Sequence, residues 1–243
     1  MGETRNGQNI AKIPAKGSAS LRLSADGRRL IVTRRFLTNR SDPNRRYSEI
    51  ELWDVDAEEL LLARQFEYGF IREMFLPGGR IAILASRSRK NEPEGFFEVM
   101  DANRGEVQWS SKLNHGFAKV LVPDESKDIL VLKTGATGQV RDLATGKLIF
   151  EAAVGDKGAV ATSRDGSLII FGSRQDSMTT DECAIEIRTI ESGDLLHKIP
   201  ISGFIQDIAI SFDGRFLLAS IGSDSGNCVR IWRTGDWSGD PHD

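Results

Sequence analysis

Short apolar segments alternate with polar turns along the chain, and the alternation repeats. Pairs of apolar segments flank a turn at Leu21–Thr33, Met74–Ser86, Val120–Leu132, Val160–Gly172 and Ile208–Ser220. Each segment is too short for a typical helix and is rich in Val, Ile, Leu and Phe, which is typical of β-strands. The pattern therefore predicts five β-hairpins.

The turns support this interpretation. Three of them contain Asp-Gly, a strong hairpin signal because such turns need residues that accept positive φ. These pairs are Asp26-Gly27, Asp165-Gly166 and Asp213-Gly214. The second hairpin has Pro77-Gly78-Gly79 instead, and the third has a longer turn at Pro123–Lys127.

Further strands follow each hairpin. Third strands are predicted from Glu49, Phe96, Gly138, Ala184 and Cys228, and fourth strands from Leu60, Val107, Lys147 and Leu195. The third strands have equivalent positions, spaced by 47, 41, 47 and 44 residues, at Trp53, Met100, Arg141, Arg188 and Trp232. Four short strands every ~40–45 residues predict the blades of a β-propeller. The expected fold class is all-β, with five four-stranded blades.

At these positions the sequence resembles the WD-repeat β-propeller family. The resemblance is carried by the Asp-Gly turns, by the turns Thr145-Gly146-Lys147 and Ser192-Gly193-Asp194, and by Trp53-Asp54, Met100-Asp101, Arg141-Asp142 and Trp232-Arg233. It covers nearly the whole chain, but the family's Gly-His pair is missing. The chain has three histidines, so the family's network of Asp, His, Ser and Trp cannot form in most blades. We therefore expect apolar packing to hold the blades together.

The resemblance also implies how the ring would close. A single propeller domain over residues 1–243 would have blades at roughly 18–68, 69–115, 116–156, 157–203 and 204–234, with a tail at 235–243. The fifth blade lacks a fourth strand. Residues 9–17 resemble 195–203, sharing Lys-Ile-Pro and a later glycine, so residues 9–15 are predicted to close the last blade. An incomplete ring, part of a larger assembly, and a ring completed by a second chain remain alternatives.

Composition narrows the class of protein. The chain has 243 residues, of which 40% are hydrophobic and 28% charged, a balance typical of globular domains. The net charge is −3, whereas a protein dominated by phosphate binding shows a basic excess. No apolar run of membrane-spanning length and no apolar N-terminal segment is visible. Two cysteines provide neither a disulfide framework nor a four-cysteine zinc site, so we expect a reducing, cytoplasmic location.

The sequence predicts no catalytic site, metal or cofactor. It lacks the nucleophile elbow, the phosphate-binding loop and the His-Glu-x-x-His zinc motif. His115, His197 and His242 form no pair at metal-ligand spacing, and His115 is interpreted as a structural hydrogen-bonding residue. Cys183 and Cys228 are predicted free thiols of neighbouring blades, with a redox pair as the alternative.

Arginines are concentrated between Arg28 and Arg46, where seven arginines face one acid, Asp42. Much of this stretch is a polar loop between the second and third strands, and the corresponding loop of blade two is also basic. The resemblance implies that such loops emerge on a face that docks partners. Arginine suits carboxylates and phosphates because its guanidinium is a rigid fork of donors. The candidate partner-binding residues are Arg34, Arg35, Arg40, Arg45, Arg46, Arg87, Arg89 and Lys90.

A second candidate site is the mouth of the central channel. Aligning the first strands places Ser20, Glu73, Lys119, Gly158 and Asp207 at equivalent positions. Glu73, Lys119 and Asp207 would form a mixed-charge ring. One interpretation is that these side chains form salt bridges with each other. The alternative is a metal-dependent enzyme site, for which two acids and a lysine provide too few ligands.

The sequence-based hypothesis is a non-catalytic scaffold or complex subunit that docks one or more proteins on the Arg-rich loop face and does not bind a membrane. The same basic loops are also compatible with mere solvation, or with a nucleic-acid-associated subunit. A metal-dependent hydrolase in the central channel is a third hypothesis.

Overall fold

Over the residues that the computed structural model describes, five antiparallel β-sheets form the regular structure. The structure describes residues 19–37, 46–67, 70–87, 94–113, 118–123, 128–155, 158–174, 182–223 and 226–234. Over these ranges, no helix is long and apolar enough to cross a membrane. The chain divides into an N-terminal unit, Met1–Lys112, and a C-terminal unit, Leu113–Asp243.

The N-terminal unit contains two four-stranded sheets, each with its strands in sequence order. Sheet 1 comprises β1 (Ala19–Leu23), β2 (Arg29–Leu37), β3 (Arg46–Asp54) and β4 (Glu59–Phe66). Sheet 2 comprises β5 (Phe70–Leu76), β6 (Arg80–Arg87), β7 (Glu94–Asp101) and β8 (Val107–Leu113). The apolar faces of the two sheets share one core, which includes Ile31, Ile50, Leu52, Ile83 and Met100.

The C-terminal unit contains the other three sheets. Sheet 3 comprises β9 (Ala118–Leu121), β10 (Ile129–Thr134), β11 (Thr137–Asp142) and β12 (Leu148–Ala153). Sheet 4 comprises β13 (Ala159–Thr162), β14 (Leu168–Arg174), β15 (Glu182–Thr189) and β16 (Leu195–Ser202). Sheet 5 has three described strands, β17 (Phe204–Ile210), β18 (Phe216–Ser223) and β19 (Gly226–Arg233).

Strand β14 of sheet 4 is buried on both faces. Ile169 and Phe171 of β14 belong to a core shared with sheet 3, whereas Ile170 between them belongs to a core shared with sheet 5. All three side chains have a relative exposure of 0%. Because successive strand residues point to opposite faces, a strand between two cores must be apolar at every position. This requirement explains the uninterrupted run Leu168–Phe171.

The predicted strand pattern is confirmed. All five hairpins form, and fourth strands complete four of the sheets. The predicted closing strand, residues 9–15, and the tail, residues 235–243, lie outside the described residues, so ring closure stays a prediction. The single domain also stays a prediction.

The three Asp-Gly hairpins share one turn geometry, in which a serine takes part. In sheet 1 the Ser24 hydroxyl donates to Asp26 Oδ1 at 2.6 Å and accepts from the Arg29 backbone N–H at 2.9 Å. Asp26 Oδ1 also accepts from the Arg28 backbone N–H. Gly27 has φ of +74°, which glycine adopts without steric cost. The turns beginning at Ser163 and Ser211 repeat these bonds.

The turn aspartates make stability depend on pH. The Ser24 and Ser211 hydroxyls, followed by backbone N–H groups, hold the pKa of Asp26 and that of Asp213 below the ordinary value. Backbone N–H groups lower the pKa of Asp54 and Asp101 in the same way. A carboxyl with a lowered folded-state pKa stabilises the fold above its unfolded pKa of about 3.9, and loses that effect below it.

We therefore expect the thermal midpoint to fall as the pH drops below about 4, where unfolded aspartate takes up protons first. Burial raises the pKa of Glu73, so this single group acts in the opposite direction. Melting curves from pH 7 to pH 2.5 measure the dependence, and Asp213→Asn should flatten its acid limb. An equally steep acid limb in Asp213→Asn would contradict the role of this turn.

A second recurring turn joins the third and fourth strands. Its first residue is an aspartate in sheets 1, 2 and 3, where Asp54, Asp101 and Asp142 accept backbone N–H bonds through Oδ1. The Asp of the Trp-Asp pair therefore caps this turn.

The last turn position has positive φ and is glycine in sheets 2, 3 and 4, but Glu58 in sheet 1, with φ of 53°. A side chain in the left-handed region costs roughly 1–2 kcal/mol, partly offset by the higher unfolded-state entropy of glycine. We expect Glu58→Gly to stabilise the protein by about 0.5 kcal/mol on this balance, as measured by chemical denaturation. Glu59→Gly, within β4, is the matched control and should destabilise it.

Polar side chains of the third strands form networks within their sheets, and one such contact joins sheets 1 and 2, in addition to apolar packing. Two residues before each equivalent position, sheets 1 to 4 have Glu51, Glu98, Gln139 and Glu186. Glu51 binds the Arg34 guanidinium and accepts from Trp53 Nε1 at 2.9 Å. Arg64 of sheet 1 donates to both oxygens of Glu98 in sheet 2, at 2.7 and 3.1 Å. The expectation of apolar packing alone was therefore incomplete.

Arginines replace the tryptophan in sheets 3 and 4. Arg141 donates to Gln139 Oε1 and, at 2.7 Å, to the Gly146 carbonyl of the following turn. Arg188 donates to Glu186 Oε2 and, at 2.8 Å, to the Gly193 carbonyl. Each guanidinium fork thus ties a strand to its turn, a bidentate geometry that lysine could not reproduce.

Candidate docking surface

The Arg-rich loop begins and ends on a two-stranded antiparallel stem. Phe36 and Tyr47 lie directly opposite each other near the ends of β2 and β3, and their rings stack with centroids 4.7 Å apart and planes 12° from parallel. Cross-strand aromatic pairs stabilise a β-ladder. The ladder therefore fixes the direction in which the chain leaves the sheet at Leu37 and returns at Arg46.

Adjacent arginines on this stem have different environments. Arg34 is buried, with a relative exposure of 6%, and its guanidinium binds Glu51, while Glu49 Oε2 lies 4.0 Å away. Arg35 points to the opposite face of the sheet and is exposed, and its Nη2 lies 3.4 Å from the Ile71 carbonyl oxygen. Arg34 is therefore part of the folded structure, and Arg35 is the cation of this pair that solvent reaches.

The two basic loops leave the N-terminal unit at the same end. Arg29, at the start of β2, donates to Asn103 in the turn between β7 and β8. Arg35, near the end of β2, reaches Ile71 at the start of β5. Ile71 is paired with Ala85, two residues before the end of β6. The described ends of β2 and β6, from which the two basic loops depart, are therefore neighbours.

Much of the predicted basic set lies outside the described residues. This applies to Arg40, Arg45, Arg89 and Lys90 entirely, and to the side chains of Arg46 and Arg87, whose backbones belong to β3 and β6. Their part in a common patch stays a prediction. The prediction from sequence did not include Phe36 and Tyr47. One aromatic residue stands on each side of the long polar loop, and this placement could have indicated them.

The predicted channel residues have unlike surroundings. Glu73 is buried at 8% exposure and accepts from the Ser20 hydroxyl at 3.2 Å, which links β1 to β5. In the C-terminal unit, Lys119 Nζ donates to the Val160 carbonyl at 3.1 Å, and Asp207 is exposed. Because these residues belong to different units, the mixed-charge ring stays a prediction.

The strand register corrects one member of this alignment. Ser20 lies opposite Thr33, and Asp207 lies opposite Ser220. The equivalent residue of sheet 4 is Ala159, which lies opposite Gly172. Gly158 is therefore one residue too early, because the alignment did not fix where β13 begins.

The remaining candidates give no reactive centre within the described ranges. Cys183 is buried and Cys228 is exposed, and the two form no disulfide with each other. His197 lies in β16, while His115 and His242 lie outside the described residues. Among the side chains that the structure describes, no three His, Cys, Asp or Glu residues are grouped so as to hold a metal ion.

Comparisons with known proteins address the fold. No protein-family model matches the chain, and no curated protein matches its sequence. A solved structure of a eukaryotic initiation factor matches with a TM-score of 0.66 and 14% identity, over 92% of this chain and 54% of that one. Hsv2p of Kluyveromyces lactis matches with a TM-score of 0.52 and 11% identity, over 90% and 61%.

This chain thus spans little more than half the length of the structures that it matches. Both are propeller proteins, and at these identities the likeness concerns the fold alone. The five repeated antiparallel sheets, together with these neighbours, support a β-propeller architecture built from blade-like repeats.

Proposed function

We propose that this protein is a non-catalytic scaffold that docks an acidic protein surface on its Arg-rich loops. The observation that supports the proposal is that β2 and β6, the strands that lead into these loops, end side by side in one unit. Propeller-type neighbours are compatible with a scaffold, since such folds present loops from a rigid frame. Function itself depends on the surface residues rather than on the fold.

The stem favours docking over free solvation. The stacked Phe36 and Tyr47 rings hold the strand ends together, so the loop starts from a fixed position. A fixed base reduces the conformational entropy that the loop loses on binding. Exposed Arg35 adds a cation at that base, and a carboxylate-rich surface would complement it.

The stacked rings also favour a protein partner over single-stranded nucleic acid. Both rings are half-buried and cover each other's faces. Single-strand binding proteins use open aromatic faces on which bases stack. Nucleic acid is therefore an alternative outcome of the experiment rather than the leading hypothesis.

The test compares two triple variants with equal loss of charge. Arg35→Ser, Arg45→Ser and Arg46→Ser remove cations from the stem and loop but keep Arg34, which the fold needs. The matched control replaces exposed Arg22, Arg28 and Arg104 with Ser. Tagged proteins are isolated from the host with and without nuclease treatment, and bound proteins are quantified by mass spectrometry.

We expect the loop variant to lose at least about 90% of its specific partners, because weakened charge pairs and steering both reduce binding. The control should retain them, and nuclease should change nothing. Equal binding by both variants would reject this docking surface. Partners that disappear after nuclease treatment would assign the loops to nucleic acid instead.

A further inference from the structure

We propose that the outer edge of β19 binds an extended strand of a partner protein in which an acidic residue lies between two apolar ones. In sheets 1 to 4 a fourth strand covers the third, whereas the described part of sheet 5 ends at β19. An edge that carries no further strand among the described residues offers a row of backbone donors and acceptors on which another strand can pair.

The side chains of β19 are exposed on both faces. Val229 and Ile231 have relative exposures of 64% and 62%, although both are apolar and lie in the middle of the strand. They point to one face of the sheet, while Cys228 and Arg230 point to the other, since Val229 is paired with Ser220 and Arg230 with Ala219. A strand added at this edge would place its own side chains beside Val229 and Ile231 on that face, and apolar side chains there would form cross-strand pairs with them.

Arg230 determines the charge of that strand. In sheets 3 and 4 the equivalent residue lies opposite a fourth-strand side chain that complements it. Gln139 donates to Glu151 at 3.2 Å, and Glu186 lies 3.5 Å from Lys198 Nζ. Sheet 5 has an exposed arginine at this position, so by the same register it favours a carboxylate on the added strand.

The chain's own N-terminal segment meets this requirement poorly. Its similarity to residues 195–203 makes Lys12 the counterpart of Lys198. Pairing in the register of sheet 4 would therefore place Lys12 opposite Arg230, and like charges directly opposite each other destabilise a ladder. A partner strand with an acid at that position has no such penalty. This edge contains none of the residues of the Arg-rich loops, so the proposal is independent of the one above.

The experiment uses two fluorescein-labelled eight-residue peptides, one alternating Val with Glu and the other alternating Val with Lys. Fluorescence anisotropy with the full chain should show the Glu peptide binding at least about 10-fold more tightly, the size expected for a complementary rather than repulsive pair in the centre of the ladder. Arg230→Glu should reverse the preference. Arg233→Glu, on the same strand, is the control for net charge and should leave the preference intact.

Hydrogen exchange provides a second measurement, because strand addition should protect β19 amides only when the Glu peptide is bound. An unchanged preference in Arg230→Glu, or no binding of either peptide, would overturn the proposal. Deletion of residues 1–16 tests whether the chain's own N-terminal segment occupies the edge instead. If the peptide binds only after this deletion, the chain's own segment covers the edge and the partner strand is rejected.

Discussion

Gly158→Ala is expected to destabilise the C-terminal unit by about 3 kcal/mol or more, the range of severe overpacking. A Cβ atom at this position would lie 1.8 Å from the Val154 carbonyl oxygen and 2.7 Å from that of Gly172. Both obstacles are backbone atoms, so no side-chain rotation can relieve the clash. The backbone must move instead.

That movement would disturb an existing set of bonds. Val154 and Gly155 both donate to the Ala136 carbonyl, at 2.7 and 3.1 Å, and Gly158 donates to Gly155. Displacing Val154 therefore strains the link between sheet 3 and the start of sheet 4. Urea denaturation followed by circular dichroism measures the loss of stability.

Gly214→Ala is the matched control for Gly158→Ala. Gly214 has φ of +70°, but no heavy atom lies within 4 Å of the position that a Cβ atom would take, so the substitution tests backbone conformation without a clash. We expect a cost of about 1 kcal/mol, from the left-handed conformation alone. Equal costs for the two variants would show that the close approach at Gly158 is not maintained in solution.

Arg34→Ser is the second large effect, with an expected loss of about 3 kcal/mol in the free energy of unfolding. The substitution leaves the Glu51 side chain at 8% exposure, without the guanidinium that it binds. An unpaired buried charge costs more than a complete pair contributes, because desolvation is no longer compensated. Trp53 Nε1 would remain as a neutral donor to Glu51.

Two further variants define the cause of the Arg34 effect. Arg35→Ser, next in sequence but exposed, should change stability by less than about 0.5 kcal/mol, as most surface substitutions do. The double variant Arg34→Met with Glu51→Leu should recover most of the loss, since apolar side chains can replace a buried pair. Failure of this rescue would mean that shape rather than charge determines the cost.

The strand architecture could be predicted from the sequence because its signals are local. Apolar segments around a turn define each hairpin, with Asp-Gly in three of the turns, and antiparallel pairing of consecutive strands recurs in all five sheets. Even β14, whose four consecutive apolar residues contain no alternation, was identified through its turn at Asp165-Gly166.

The networks could not be predicted in the same way, because they depend on which side chains approach across strands. The pairing of Arg64 with Glu98 joins two sheets and 34 positions of sequence. Arg34 and Arg35 are adjacent arginines, so the residue type alone does not distinguish them. The orientation of β2 places Arg34 in a buried ion pair and leaves Arg35 exposed to solvent. The spacing of Glu51, Glu98, Gln139 and Glu186 was nevertheless visible, two residues before each equivalent position.

Burial of β14 on both faces has a consequence for how the C-terminal unit unfolds. Opening β14 removes apolar contacts from two cores at once, so this strand can open only together with its neighbours. In a linear array of repeats, such coupling joins adjacent modules into one cooperative unit. The amides of β14 should therefore exchange last, at the free energy of global unfolding, whereas those of β19 exchange through local fraying.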